Sequence, residues 1–283
     1  MQPNTLVCCD CVEGMRALPS SSIPLTVTSP PYDDLRDYGG HLWDFEKFMV
    51  VAHELRRLTM PGGIVVWVVQ DKIDKGSESG TSSKHRIYFQ RLGFRLHGTI
   101  ILFSKGIRLP QKRRYVNQFQ YAFVLSKGRP RTFNLLIDRP NSTAGQRARV
   151  SRRAKDGSRE RVMYEYTTQP FGPRGNVWPY TVGGPHSTRD RYADDHPALM
   201  HEGMARDLIV SFSRPGDVVL DPFGGAGTTA KMALLNHRRY LSIEAHSPYH
   251  DLAMRRLADS HDAYRRRLDE ELQLSPSLAS GGE

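Results

Sequence analysis

The chain has 283 residues, 39% of them hydrophobic, and carries a formal net charge of +10 at pH 7. This length and hydrophobic content are enough for one large α/β domain, or two smaller ones, with a sizeable buried core. The longest apolar run, residues 64–69, is too short to span a bilayer, and no basic-then-apolar signal segment opens the chain.

Strand and helix signals alternate along most of the chain. In chain order we predict a strand at residues 5–9, a short helix up to Pro19, a strand at 23–28, a helix at 43–59, a strand at 64–69, a helix ending near Gly93, strands at 95–103 and 119–126, a helix at 200–213, a strand at 218–221, a helix at 228–237, a strand at 239–245 and a helix at 248–272. This alternation indicates an α/β fold with a doubly wound, mostly parallel sheet.

The three cysteines, Cys8, Cys9 and Cys11, are close together near the start of the chain. With no second cluster to pair with, they exclude a disulfide framework and fit a reducing compartment. Cys8 and Cys11 form a single C-x-x-C, but no further Cys/His pair completes a zinc site. We therefore predict buried strand cysteines and no metal.

Two consecutive prolines follow the strand predicted at residues 23–28. Neither Pro30 nor Pro31 can donate a hydrogen bond to a sheet, and each restricts the residue before it to extended conformations. The chain must therefore leave the sheet in a stiff loop that presents the Ser29 hydroxyl, the Pro30 carbonyl and the Tyr32 ring.

The positive charge is concentrated in one part of the chain. Residues 105–175 hold 17 Lys and Arg against 4 Asp and Glu, whereas the rest of the chain holds 23 against 26. Clustering of positive charge is typical of a surface that binds a polyanion, and it favours nucleic acid as the binding partner. Hydrophobic periodicity also fades between residues 128 and 185, so we predict an inserted recognition segment there.

A glycine-rich turn follows the strand predicted at residues 218–221. Gly224, Gly225 and Gly227 let a ligand approach the backbone, and the next helix offers free N–H groups at its start. The turn lacks the third glycine of a dinucleotide fingerprint and the Lys of a P-loop. Glu244 ends the next strand, 17 residues after Gly227, where a carboxylate can accept both hydroxyls of a ribose.

Together the two loops resemble a known enzyme family. T-S-P-P-Y (28–32) followed by D-P-F-G-G-A-G-T-T (221–229) is similar to the motifs of DNA amino-methyltransferases that use S-adenosylmethionine (SAM), in the order of their permuted (β) group. D-C-V-E-G-M, N-V-W and H-P-A extend the resemblance over most of residues 4–260. The family usually continues H-P-A with Phe-Pro, and this chain does not.

The resemblance implies a domain order and a set of site residues. It predicts a Rossmann-like methyltransferase sheet, with a catalytic half at 1–127, a target-recognition insert at 128–185, a SAM-binding half at 186–272 and a disordered tail at 273–283. The implied catalytic residues are Ser29, Pro30, Pro31 and Tyr32. The implied cofactor-binding residues are Asp10, His196, Asp221, Pro222, Phe223, Gly224, Gly225, Gly227, Thr228 and Glu244. For Asp10, capping the first helix is an equally good role.

The chemistry fits these residues. An exocyclic amino group is a poor nucleophile, because its lone pair is delocalised into the base. The Ser29 hydroxyl and the Pro30 carbonyl can accept its hydrogens and free the lone pair to attack the sulfonium methyl. The target base must first leave the duplex, and Tyr32 offers a face on which it can stack.

Serine at the first motif position resembles the cytosine-N4 enzymes. Our first prediction is therefore N4 methylation of cytosine in double-stranded DNA, for restriction–modification or for protection of host or phage DNA. Adenine-N6 methylation, whose enzymes more often have Asp there, is the alternative, and a non-catalytic DNA-binding protein with the same fold is a third hypothesis. We expect a bacterial or phage-encoded protein that acts in the bacterial cytoplasm, without a membrane segment. A homodimer and a cognate restriction endonuclease are both compatible with this function.

Overall fold

The computed structural model describes residues 2–31, 43–105, 113–150, 155–158, 164–182, 186–190, 192–193, 196 and 198–273. The strands are β1 (Thr5–Cys8), β2 (Ile23–Thr28), β3 (Thr59–Val69), β4 (Ile73–Asp74), β5 (Ser77–Glu78), β6 (Arg95–Ser104), β7 (Phe119–Ser126), β8 (Ile137–Pro140), β9 (Arg147–Val150), β10 (Tyr164–Thr167), β11 (Phe171–Pro173), β12 (Val177–Tyr180), β13 (Val218–Asp221) and β14 (Arg239–Glu244). The helices are α1 (Cys11–Arg16), α2 (Phe45–Leu58), α3 (Thr81–Arg91), α4 (Glu202–Phe212), α5 (Thr228–Leu235) and α6 (Ser247–Gln273).

An eight-stranded sheet with the order β1-β14-β13-β2-β3-β7-β6-β12 forms the centre of the fold. Its strands pair in parallel except β7, which runs antiparallel to both β3 and β6. The predicted α/β class with a mostly parallel sheet is thus confirmed. Chain direction across the sheet reverses between β13 and β2, because β13 leads outward to β14 whereas β2 leads to β3 on the other side.

β2 and β3, on one side of this reversal, are deeply buried. All six residues of β2 are buried, and so is the apolar run of β3 at residues 64–69. Such continuous apolar runs are typical of parallel strands covered on both faces. α2 presents Phe48, Leu55 and other apolar residues to this core, as its helical spacing predicts, and the Asp44 side chain caps it by accepting from the Lys47 N–H at 2.7 Å.

β3 begins earlier than the sequence predicts. Thr59 directly follows α2 and already pairs with Ile23, and the register then shifts before Leu25 meets Ile64. Gly62, with a φ of +76°, takes up this irregularity and donates to the Lys127 carbonyl at 2.7 Å. The Pro61-Gly62-Gly63 segment therefore lies within the strand instead of before it.

The prediction of buried strand cysteines is mostly wrong. Cys8 is exposed in β1, Cys9 is half-buried, and Cys11 is buried but belongs to α1. All three are free thiols, and burial raises the pKa of Cys11 to about 12, so it is no thiolate near neutral pH.

The chain divides into two compact units, 1–134 with 177–283, and 135–176. The described residues of the smaller unit form two antiparallel strand pairs, β8 with β11 and β9 with β10, and an ion pair joins Arg174 to Asp138.

The smaller unit is shorter than the segment 128–185 that was defined from the sequence. Asn134 donates from its N–H to the Ser211 carbonyl at 2.8 Å, within the larger unit. β12 pairs in parallel with β6 as the edge strand of the main sheet, with Trp178 and Tyr180 buried. Four residues are too few for a clear alternation signal, and Pro179 is tolerated because the strand lies at an edge.

None of the helices in the described part of the chain is both long enough and apolar enough to cross a membrane. Of the predicted tail, residues 274–283 lie outside the described residues.

Candidate active site

The two loops singled out from the sequence start from neighbouring strands. β2 and β13 pair in parallel, with Leu25 opposite Val219 and Thr26 opposite Leu220, so both end at the same edge of the sheet. This is also the point at which the strand order reverses. In open α/β sheets, ligands bind in the crevice outside the carboxyl ends of strands at such a switch point.

A buried hydrogen bond joins the two strand ends. The Thr28 hydroxyl donates to Asp221 Oδ1 at 2.7 Å, and the Phe223 N–H donates to the same oxygen at 3.1 Å. Asp221 is only 4% exposed, and this burial raises its pKa to about 6 although both hydrogen bonds favour the charged form. Thr28 was not among the predicted site residues, because nothing in the sequence pairs it with a residue 193 positions away.

Ser29 directly follows Thr28, the donor of this hydrogen bond. Its side chain is half-buried, Pro30 is buried and Pro31 is half-buried. The first three predicted catalytic residues therefore lie beside the start of the glycine turn. Tyr32, the fourth, lies outside the described residues.

The glycine turn has the conformation that its composition predicts. Gly225 and Gly227 have φ values of +49° and +76°, in the left-handed region that favours glycine, and α5 begins directly afterwards at Thr228. A Cβ added at Gly225 would lie 2.9 Å from His196 Nε2, and one at Gly227 would lie 2.9 Å from Ala253 Cβ. The packing behind the turn thus leaves no room for a side chain at either position.

Glu244 is bound to the turn by its carboxylate. Oε2 accepts from the Gly225 N–H at 2.7 Å, and Oε1 accepts from the His246 N–H at 2.8 Å. These two bonds fix the carboxylate at the end of β14 while the side chain stays half-buried. Each carboxylate oxygen can accept more than one hydrogen bond, so both can still bind a ligand hydroxyl.

Aromatic rings flank the turn on two sides. The Phe223 ring packs edge-on against Trp43, with ring centres 5.1 Å apart. The Tyr249 ring contacts the imidazoles of both His196 and His246, with both centre distances at 4.4 Å. Trp43, Tyr249 and His246 were missed from the sequence, because single aromatic residues near α2 and in α6 look like ordinary packing residues.

Asp10 caps α1. Its Oδ1 accepts from the Val12 N–H at 2.8 Å and the Glu13 N–H at 3.4 Å, and its Oδ2 forms an ion pair with Lys47 at 2.7 Å. Burial acts to raise the pKa of Asp10, but these hydrogen bonds, with that from Lys47 the largest, outweigh burial and lower it. β1 ends beside Glu244, since Cys9 donates to the Glu244 carbonyl at 3.1 Å.

The structure thus gathers nearly all of the predicted cofactor residues at one edge of the sheet. Those within the turn or in contact with it are His196, Asp221, Pro222, Phe223, Gly224, Gly225, Gly227, Thr228 and Glu244. Their role in binding a cofactor stays a prediction, as does that of Asp10. Among the described residues, no group of three or more His, Cys, Asp or Glu side chains could hold a metal ion.

Comparison with known proteins agrees with this geometry. Residues 23–255 match the model of a family described as DNA methylase. The chain belongs to this DNA methylase family. One relative, the orphan methyltransferase M.BamHII from Bacillus amyloliquefaciens, is 47% identical over 238 residues, which cover 83% of this chain and 89% of that protein.

Other similar proteins are more distant. The DNA adenine methyltransferase YhdJ from Escherichia coli is 26% identical over 278 residues, covering 90% of this chain and 83% of that protein. A Thermus thermophilus protein described as a DNA modification methylase has been solved in complex with S-adenosyl-L-methionine. It matches 90% of this chain and 95% of its own, with a TM-score of 0.58 and 25% identity.

Proposed function

We propose that this DNA methyltransferase transfers a methyl group from SAM to the N4 amino group of cytosine in double-stranded DNA. The observation that carries the proposal is the Thr28–Asp221 hydrogen bond at 2.7 Å, which joins the strand before S-P-P-Y to the strand before the glycine turn. The proposed cofactor loop and the proposed amino-group acceptors thereby follow adjacent, hydrogen-bonded strand ends.

The residues around the glycine turn fit SAM. Gly225 and Gly227 allow the left-handed backbone of the turn, and the Glu244 carboxylate, fixed by two N–H donors, keeps acceptor capacity for the ribose hydroxyls. Asp10, beside the end of β14, is suited to the adenine side. The related Thermus thermophilus structure, which holds SAM, supports the same cofactor here. When bound, SAM supplies an electrophilic methyl group on a sulfonium.

The protein's own part in the reaction is to activate and orient the amino group. The Ser29 hydroxyl and the Pro30 carbonyl accept its two hydrogens, which draws the nitrogen towards tetrahedral geometry and frees its lone pair. Methyl transfer would form the N–C bond as the S–C bond of SAM breaks, leaving a neutral thioether, and the proton lost from the nitrogen would pass to solvent water. Because positive charge develops on the nitrogen, acceptors held in place beforehand stabilise the transition state most.

The choice of cytosine N4 depends on Ser29, the first residue of the S-P-P-Y motif. Adenine N6 is the second candidate, and the similarity to the adenine methyltransferase YhdJ favours it. The test is to express the protein in cells that lack other DNA methyltransferases and to analyse the digested DNA by mass spectrometry. N4-methyldeoxycytidine, strongly reduced with Ser29→Ala, is the expected product. N6-methyldeoxyadenosine would establish the second candidate, and neither base would contradict both.

Target recognition is proposed for the smaller unit, residues 135–176. It holds 9 Lys and Arg against 4 Asp and Glu, an excess that suits a DNA backbone. In β9 and β10, Arg147 and Arg149 are exposed on one face of the strand pair, and Tyr164 and Tyr166 are exposed on the other. A two-stranded ribbon of this kind fits the major groove of DNA.

A further inference from the structure

Arg256 is a fully buried cation that the mechanism above does not use. It lies on α6, a helix in which 11 of 27 residues are charged, yet its side chain is 0% exposed. Arginine is almost never fully buried unless it is paired, so its partners show what it does.

The Arg256 guanidinium contacts the glycine turn and two carboxylates. Nη1 donates to the Ala226 carbonyl at 2.6 Å and to the Thr228 hydroxyl at 3.1 Å. Nε donates to Asp190 Oδ2 at 2.8 Å, and Nη2 donates to Glu202 Oε1 at 2.8 Å. One side chain thus joins α6, the start of α4 and the segment before His196 to the middle residue of the turn.

The contact with Ala226 bears on the conformation of the turn. The Gly227 N–H donates to the Gly224 carbonyl at 2.8 Å, so the peptide between Ala226 and Gly227 is held through both its N–H and its carbonyl. Gly225 and Gly227, on either side, have no side chains that could restrict them. A turn of this composition needs an anchor from outside, and Arg256 supplies one.

We propose that Arg256 is a positioning residue for cofactor binding, which holds the glycine turn in the conformation that SAM requires. The inference rests on the proposed function. Arg256 lies behind the turn and acts through the Ala226 carbonyl, without touching the ligand.

A purely electrostatic role is the competing explanation. Lys231 Nζ lies 2.7 Å from both Asp190 Oδ2 and Glu202 Oε1, so two cations and two anions balance in the cluster. Arg256→Lys separates the two roles. It keeps the positive charge, but one ammonium cannot replace the planar fork that reaches the carbonyl and both carboxylates at once.

The experiment measures SAM binding to the full-length variants by isothermal titration calorimetry, with the melting temperature recorded in parallel. Arg256→Lys should bind SAM about tenfold more weakly and raise KM for SAM, without a matching rise in KM for DNA. Arg238→Lys is the matched control. Arg238 is 9% exposed and donates to the Ser213 and Asn236 carbonyls, at the opposite end of β14 from Glu244. The Arg238→Lys variant should melt at a lower temperature but bind SAM with wild-type affinity.

Glu202→Gln tests the inference even where Arg256→Lys fails to fold. It weakens the charge cluster but leaves the contact with Ala226, so SAM affinity should stay unchanged. A tenfold loss of SAM affinity in Glu202→Gln, or wild-type affinity in Arg256→Lys, would overturn the inference. If the wild type itself bound no SAM, the proposed function would fail instead, which keeps the two failures distinct.

Discussion

Thr28→Val tests the hydrogen bond that joins the two halves of the proposed site. Valine keeps the shape of threonine but cannot donate to Asp221, whose buried carboxylate then loses its 2.7 Å partner. The pKa of Asp221 is already raised from 3.8 to about 6. Loss of a hydrogen bond to a charged group costs about 1.5–3 kcal/mol, which corresponds to a further rise of about 1–2 pKa units.

The effect of this substitution should depend on pH. An acid whose pKa is raised in the folded state binds more protons there than in the unfolded chain, so stability falls as pH rises through that range. For the wild type this range is about pH 4 to 6, and in Thr28→Val it extends to neutral pH. We therefore expect Thr28→Val to be less stable than the wild type by about 1.5–3 kcal/mol at pH 8. At pH 5 the difference should be much smaller, because Asp221 is then protonated in both folded proteins.

The assay is urea unfolding of both proteins at a series of pH values from 5 to 9. Thr26→Val is the matched control, because the buried Thr26 hydroxyl, on the same strand, has no hydrogen-bond partner among the described residues. Thr26→Val should leave the free energy of unfolding unchanged or raise it at every pH. A destabilisation by Thr28→Val that is independent of pH would refute the assignment of the effect to Asp221.

Three further predictions concern SAM binding, the rate of methyl transfer and DNA binding. Glu244→Gln should weaken SAM binding by about 1.5–3 kcal/mol through the loss of charge-assisted hydrogen bonds, as measured by calorimetry; unchanged affinity would mean that the ribose is held elsewhere. Ser29→Ala should slow single-turnover methyl transfer at saturating SAM and DNA by about a hundred- to a thousandfold, and equal rates would contradict its role as acceptor. Arg147→Ala should reduce the slope of log affinity against log salt by about 1 if Arg147 binds a phosphate, and an unchanged slope and affinity would place the DNA contacts elsewhere.

Much of this fold could be predicted because its signals are local. The continuous apolar run of β3 and the glycine turn before α5 each follow from short stretches with known geometry. Ser29 and Glu244 were singled out for the same reason, since a loop at the end of a predicted strand can be recognised from the strand itself.

The contacts that could not be predicted join residues far apart in the chain. Thr28 and Asp221 meet only because β2 and β13 are neighbours, and strand order is not encoded in either segment. Arg256 belongs to a helix whose charged residues suggest exposure, and only the packing of α6 behind the turn buries it. β12 was missed for a related reason, since four residues acquire the character of a strand only against β6.

The position of β1 has a consequence for the folding of the protein during synthesis. Within the described part of the chain, β1 pairs with β14 alone, and β2 has β13 as its neighbour on that side. Both partners are made more than 180 residues later. The nascent chain must therefore carry an unpaired first strand and an open edge at β2 until the last third of the protein emerges. The sheet edge that carries the proposed site is completed last, so no protein truncated before β14 can contain it.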